Sequence, residues 1–151
     1  MSRIYNIIQN PLQLLYILPA IIIGMTVHEW AHAYVAYRLG DPTAKNLGRM
    51  TLNPLAHFDV FGFLCLLLIG FGWAKPVPVN SRNFRNFRRD DILVSLAGIT
   101  MNLIVAFVFS FIYILGYVKW GLADNEAFLS IFGGIVTINL ALAMFNLIPI
   151  Y

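Results

Sequence analysis

The sequence predicts an all-α membrane protein that crosses the bilayer several times. Hydrophobic residues make up 60% of the 151 residues, charged residues only 11%, and the mean hydropathy is +0.76. Soluble domains carry about 25% charged residues, so this chain has too little charge to cover a globular surface in water. This composition argues against a soluble enzyme and against a disordered chain. Three apolar runs are long enough to form spans of about 20 residues each.

The three predicted transmembrane helices cover about residues 12–37, 92–118 and 127–151. A Gly-Asp-Pro sequence at residues 40–42 would end the first helix, and a polar turn at 119–126 separates the last two. We see no repeat or linker, so residues 1–151 are expected to form a single membrane-embedded domain. The last run has no polar flank after Tyr151, and we therefore expect the chain to be a fragment of a longer protein.

A shorter apolar stretch, Phe58–Trp73, lies between the first two predicted spans. It is rich in glycine and too short to cross a bilayer comfortably. The Lys-Pro-Val-Pro-Val sequence at Lys75–Val79 favours extended backbone. We therefore predict a re-entrant or extended element over about residues 58–80, in addition to the three spans.

The first span contains an H-E-x-x-H motif, in which His28 and His32 flank Glu29. On a helix the two histidines lie on one face, where both imidazoles can bind one zinc ion. Glu29 can then act as the general base that takes a proton from the attacking water. Ionisable residues inside a span are costly and are functional candidates by default. The motif therefore predicts metal-assisted amide hydrolysis, with Zn2+ as the cofactor.

Other sites built on a histidine pair fit less well. Di-iron membrane oxidases need several more histidines, and only His57 remains, for which we expect a capping or interfacial role. The metzincin extension is absent, because Val35 and Arg38 stand where that motif needs Gly and His. A catalytic zinc site normally has three protein ligands, and the motif supplies two. Asp41 and Asp59 are poor candidates for the third, since both lie in turn-like segments outside the helix that carries the histidines.

Several segments that cover most of the chain match motifs of one family. They are Gly24–His32, Gly48–His57, Gly72–Asn80, Asn83–Asp91, Ala97–Asn102 and Asn146–Ile150. In these segments the sequence resembles the site-2 proteases, which are intramembrane zinc metalloproteases, and in particular their small bacterial branch without a PDZ domain. One position departs from the pattern, since Ile99 stands where the family usually has proline.

The resemblance implies an endopeptidase that cleaves transmembrane segments of other proteins. It also implies that the third zinc ligand is an aspartate shortly beyond Tyr151, so this chain by itself is expected to bind zinc weakly or to be inactive. Asn146 and Asn102 match family asparagines that bind substrate or stabilise the oxyanion, although a helix-packing role stays open for both. Two other functions also stay open. The absent ligand leaves room for a non-catalytic scaffold or pseudoprotease, whereas a transporter is weakened by the lack of further buried acids or histidines.

The basic residues give a separate prediction of topology. Eight of the ten lie between the first two spans: Arg38, Lys45, Arg49, Lys75, Arg82, Arg85, Arg88 and Arg89. By the positive-inside rule the loop of residues 38–91 is then cytoplasmic, in the cell (inner) membrane, and the apolar stretch inside it does not cross. We expect the basic run Arg82–Arg89 to contact anionic lipid headgroups rather than nucleic acid.

The predicted zinc site indicates the same topology. The histidines and the expected aspartate both lie near the C-terminal ends of their helices, so the first and last spans should run in the same direction. The resemblance further implies a sheet-like element beside the site. The extended segment of residues 71–80 could pair there with an unwound substrate as an added strand.

Overall fold

A computed structural model describes residues 11–69 and 72–148 of the chain. Within these ranges the helices are α1 (Pro11–Arg38), α2 (Thr43–Asn46), α3 (Val60–Ile69), α4 (Phe87–Val118) and α5 (Glu126–Leu147), with 3-10 turns at Pro54–Ala56 and Ser81–Asn83. Three helices, α1, α4 and α5, are long and apolar enough to cross a membrane. Each of the three contacts the other two. The predicted all-α fold class with three spans is confirmed.

Asparagine caps set the starts of α4 and α5. The side chain of Asn86 accepts a hydrogen bond from the backbone nitrogen of Arg89, so α4 begins at Phe87, earlier than the predicted start at residue 92. Asn125 caps α5 in the same way. The α5 helix ends at residue 147, and the last part of the predicted span, residues 149–151, lies outside the described residues.

Helices α1 and α5 run in the same direction. Ala20 of α1 faces Gly134 of α5, and one turn later Gly24 faces Asn139 and Leu142. Small residues on this face let the two backbones approach closely. The first and last spans therefore run in the same direction, as predicted.

Helix α4 runs the opposite way and forms the single crossing between α1 and α5. Val94, near its start, packs in a cluster with Ala36 near the end of α1. Gly116, near its end, faces Phe128 at the start of α5. The bundle is therefore up, down and up in chain order.

The α3 segment enters and leaves at the same end of the bundle. Its ten residues form a helix of about 15 Å, half of the hydrocarbon thickness of about 30 Å. The backbone nitrogen of Lys75 donates to the carbonyl of His57 at 2.9 Å, so the returning chain lies beside its point of entry. A Cβ atom on Gly62 would lie 2.2 Å from the carbonyl oxygen of Trp73, which shows how closely the returning backbone packs on α3. The segment does not cross the bundle, as predicted.

The returning segment is extended but forms no sheet within the described residues. The sheet-like element implied by the resemblance is therefore absent from this part of the chain. Pro76 and Pro78 explain the difference, because proline has no N–H to donate to a strand ladder. The predicted extended backbone over residues 75–79 is confirmed.

Candidate metal centre

Helix α1 presents His28 and His32 on one face, one turn apart. Their Nε2 atoms lie 2.9 Å apart, and His28 is only 8% exposed. Nδ1 of His32 lies 2.7 Å from the carbonyl oxygen of Val94 on α4. Since a carbonyl can only accept, Nδ1 of His32 carries the proton and its Nε2 presents a lone pair. The contact with α4 thus fixes the tautomer that binds a metal through Nε2.

Gly98 of α4 packs directly against the two imidazoles. A Cβ atom at this position would lie 2.6 Å from Nε2 of His28 and 2.6 Å from Nε2 of His32, so no larger residue fits without displacing the rings. Two imidazole nitrogens held close together on one side of α1 fit a zinc ion. Gly98 was not singled out from the sequence, although it lies in a segment that carries the family resemblance.

Glu29 is held by the extended segment that follows α3. Its Oε2 accepts a hydrogen bond of 2.8 Å from the backbone nitrogen of Val77. Val77 lies between Pro76 and Pro78, and it therefore supplies the only N–H of the three residues. One carboxylate oxygen is thus fixed, and Oε1 is left for proton transfer. This contact could not be predicted from residue types, because its donor is a backbone group.

Asn102 of α4 lies behind the histidine pair. It is 0% exposed, and its side chain lies against the imidazole of His28. Apart from this contact, neither of its amide atoms has a hydrogen-bond partner within the described residues. Zinc-binding histidines usually donate their second ring N–H to an acceptor. The side chain of Asn102 and the backbone of Gly98 are the groups beside His28 that could accept from its ring, while the substrate or oxyanion role of Asn102 stays a prediction.

Two curated relatives match the chain. It is 46% identical over 145 residues to the protein named "Putative zinc metalloprotease YwhC" of Bacillus subtilis, a match that covers 93% of this chain and 66% of that protein. It is 31% identical over 90 residues to "Putative zinc metalloprotease Rip2" of Mycolicibacterium smegmatis, which covers 56% of this chain and 34% of that protein. The chain belongs to the site-2 protease-like family of zinc metalloproteases.

The match to the first relative covers nearly the whole chain, but each match covers only part of the relative's own length. The chain spans about two thirds of the first relative's length and one third of the second's. No protein-family model matches the chain, and no solved structure matches it.

The family asparagine on α5, Asn146, lies near the level of the site. Since Gly24 faces Leu142 and the two helices are parallel, Asn146 lies about level with His28. Its amide nitrogen donates to the carbonyl of Leu142 at 2.8 Å, and the side chain is exposed. The family role in substrate binding therefore stays a prediction for Asn146. Asn139, also on α5, is buried, and its amide nitrogen donates to the carbonyl of Ile135 in the same helix at 2.8 Å.

Asp41 is not available as a third ligand of the site-2 protease-like centre. It is 0% exposed, and its two oxygens accept from Asn80 and Asn83 at 2.7 Å each, and from the backbone of Thr43. Burial alone would raise the pKa of this carboxyl, but the hydrogen bonds outweigh burial and lower the pKa below its ordinary value. Asp41 is therefore an ionised structural group.

Asp59 and His57 also have structural partners. Asp59 accepts from the backbone of Gly62 at 2.7 Å and caps α3. His57 ends the 3-10 turn at 54–56, and its Nε2 donates to the carbonyl of Thr51 at 2.9 Å, which confirms the predicted capping role. Within the described residues no three His, Cys, Asp or Glu side chains come together. The part of the chain that the structure describes thus brings His28 and His32 together without a third such side chain.

An apolar groove approaches the family site between α1, α3 and α5. Its volume is about 510 Å³, and its wall includes Ile21, Met25, Leu66, Trp73 and Leu142. On α1 the groove reaches Met25, which lies three residues before His28 and on the same face of the helix. His28 and His32 themselves are not among its lining residues.

Proposed function

We propose that this chain is the core of an intramembrane zinc endopeptidase that hydrolyses peptide bonds within or near transmembrane segments of other proteins. The observation that carries the proposal is the pair of Nε2 atoms on His28 and His32, which lie 2.9 Å apart where Gly98 of α4 packs against them. Glu29 lies next to them with one oxygen already fixed. The names of the two relatives support zinc-dependent proteolysis.

His28 and His32 would hold the zinc ion through Nε2. By the family resemblance, an aspartate beyond Tyr151 would complete the ligand set, and the parallel packing of α1 and α5 supports this because it brings the end of α5 level with the histidines. When bound, zinc would lower the pKa of a water ligand and polarise the substrate carbonyl. Glu29 takes the proton from the attacking water and passes it to the leaving amine.

The substrate would reach these groups along the apolar groove. A transmembrane helix shields its amides by internal hydrogen bonding, so hydrolysis requires local unwinding. The extended segment beside Glu29 would then offer backbone groups to the unwound substrate, with Val79 on its exposed side. The groove supports this arrangement because its walls are mostly apolar and it extends along α1 as far as Met25 and Thr26.

The protein would lie in the cell (inner) membrane with residues 38–91 on the cytoplasmic side. The packing of the two basic loops supports a common side, because Arg49 donates to the carbonyl of Lys75 at 2.8 Å and Gly40 faces Asn83. The basic run Arg82–Arg89 would contact anionic lipid headgroups there.

A non-catalytic scaffold is the second candidate. The observation in its favour is that the described residues bring together only two zinc ligands. A scaffold would bind transmembrane segments in the same groove without hydrolysing them.

Cleavage of a transmembrane test substrate by the full-length, zinc-loaded protein distinguishes the two candidates. Glu29→Gln should lower the rate by about 10²- to 10⁴-fold, because the general base is lost. Glu126→Gln is the matched control, since Glu126 is the other glutamate of the chain and lies at the start of α5. Equal cleavage by parent and Glu29→Gln contradicts the protease, and substrate binding without cleavage by the parent supports the scaffold.

A further inference from the structure

The extended segment that follows α3 is fastened at both ends. Near its start, Nη2 of Arg49 donates to the carbonyl of Lys75 at 2.8 Å. At its end, the backbone nitrogen of Asn80 donates to Oδ2 of Asp41 at 2.7 Å. Arg49 and Asp41 both belong to the polar stretch between α1 and α3, so this polar stretch holds both ends of the extended segment.

The middle of the fastened segment is the point that contacts the site. The side chain of Val77 is 9% exposed and packs with Ala33 of α1 and Ala44 of α2. Its backbone nitrogen donates to Glu29 at 2.8 Å. Since the flanking prolines have no N–H, neither neighbour could replace this donor if the segment shifted by one residue.

Asp41 is built as an anchor for this segment. It lies just past the end of α1, the helix that carries Glu29, and it is completely buried. Its Oδ2 holds Asn80 and its Oδ1 holds the side chain of Asn83 at 2.7 Å. A buried carboxylate with both oxygens hydrogen-bonded is a rigid connection. The segment is thereby tied to the same helix as the carboxylate it contacts.

We propose that Asp41 is a positioning residue for the reaction, because it holds the extended segment so that the Val77 N–H orients the carboxylate of Glu29. The inference rests on the proposed function, in which Glu29 is the general base. The hydrogen bond to Oε2 fixes the plane of the carboxylate and directs Oε1 to the attacking water. Arg49 acts in the same way from the other end of the segment. Small misplacements of a catalytic group reduce the rate strongly.

Hydrogen exchange tests the first step of the proposal. In the peptide 75–79 only Lys75, Val77 and Val79 have amide protons. Lys75 donates to His57 and Val77 donates to Glu29, so the exchange of the Val77 amide is the signal that reports the contact with Glu29. In the full-length, zinc-loaded protein, Asp41→Asn should speed exchange of this peptide by about tenfold, as loss of one hydrogen bond does. The reason is that the NH2 group of the new asparagine would face the backbone N–H of Asn80, which is also a donor, so the hydrogen bond between them would be lost. Asp124→Asn, the same change at an exposed residue beyond α4, should leave it unchanged.

Exchange in Glu29 variants tests the contact itself. Glu29→Ala removes the acceptor and should speed exchange of the same peptide, whereas Glu29→Gln keeps an acceptor oxygen and should speed it less. Equal exchange in the parent and Glu29→Ala would overturn the proposal.

Kinetics test the second step. With a transmembrane test substrate, Asp41→Asn should lower kcat by about 10- to 100-fold and leave KM within about twofold, at an unchanged zinc content. A merely structural role would lower the amount of folded protein without this division between kcat and KM. Arg49→Gln should show the same pattern, and it serves as the second variant should Asp41→Asn fail to fold.

The outcomes separate this proposal from the function on which it rests. Unchanged exchange over residues 75–79, or faster exchange with a normal kcat, overturns the positioning role of Asp41 and leaves the protease intact. A zinc-loaded parent that does not cleave, or a Glu29→Gln variant that cleaves equally well, contradicts the proposed function itself.

Discussion

A Cβ atom on Gly98 would lie only 2.6 Å from Nε2 of His28, closer than real side chains approach. The α4 backbone therefore packs directly against the histidine pair, and a side chain at this position would displace the rings. This relationship joins two segments that are far apart in sequence. The candidate metal centre therefore depends on the contact between α1 and α4 as well as on the H-E-x-x-H motif.

Replacing Gly98 by alanine should abolish zinc binding. The added methyl group would lie 2.6 Å from both Nε2 atoms and displace the rings. Zinc content per protein, measured on the purified full-length protein by elemental analysis, should fall to background. Gly134→Ala is the matched control, because its Cβ would lie 3.8 Å from the Cβ of Ala20, an ordinary contact. Full zinc occupancy in Gly98→Ala would show that the ion lies elsewhere.

Replacing Asn102 by leucine should weaken zinc binding by about 10- to 100-fold, the usual effect of losing a partner that orients a metal-binding histidine. The side chain keeps its approximate volume but can no longer accept a hydrogen bond from the imidazole of His28. Competition with a chelator gives the affinity. Thr100→Val on the same helix should bind zinc like the parent, since Thr100 is exposed and bonds only its own helix. An unchanged zinc affinity in Asn102→Leu would mean that Asn102 does not orient His28 and has a packing or substrate role instead.

Replacing Gly62 by alanine should destabilise the packing of α3 against the returning chain. The new Cβ would lie 2.2 Å from the carbonyl oxygen of Trp73, so the backbone must move. Overpacking of this kind costs about 1–3 kcal/mol, which thermal unfolding in detergent can measure. Gly133→Ala should unfold like the parent, because its Cβ would meet only Tyr113 at 3.5 Å. Parent-like unfolding of Gly62→Ala would contradict the close return of the chain.

The basic end of the bundle should face the cytoplasm. Single cysteines at Lys45 and Arg85, in a protein whose Cys65 is replaced by alanine, should resist a membrane-impermeant thiol reagent in intact cells and react after permeabilisation. A cysteine at Asp124 should react from outside, because the turn after α4 lies at the other end of the bundle. Labelling of Lys45→Cys and Arg85→Cys from opposite sides would contradict the return of the α3 segment.

The sequence was sufficient for the parts of the site that depend on local periodicity and charge. The spacing of His28 and His32 on one helix face, and the return of the α3 segment, follow from helix geometry, segment length and the placement of basic residues. The contacts of Gly98, of the Val77 N–H and of Asp41 could not be predicted in this way. They form between segments distant in sequence, and two of them involve backbone positions that have no polar side chain to mark them.

Zinc X-ray absorption of the full-length protein tests the central claim most directly, namely that His28 and His32 hold one zinc ion. The spectrum should show two imidazole nitrogens at about 2.0–2.1 Å with oxygen ligands completing the shell. Replacing either histidine by alanine should remove one imidazole from the shell and most of the bound zinc. A sulfur ligand, or a spectrum and zinc content that do not change in His28→Ala and His32→Ala, would contradict the account.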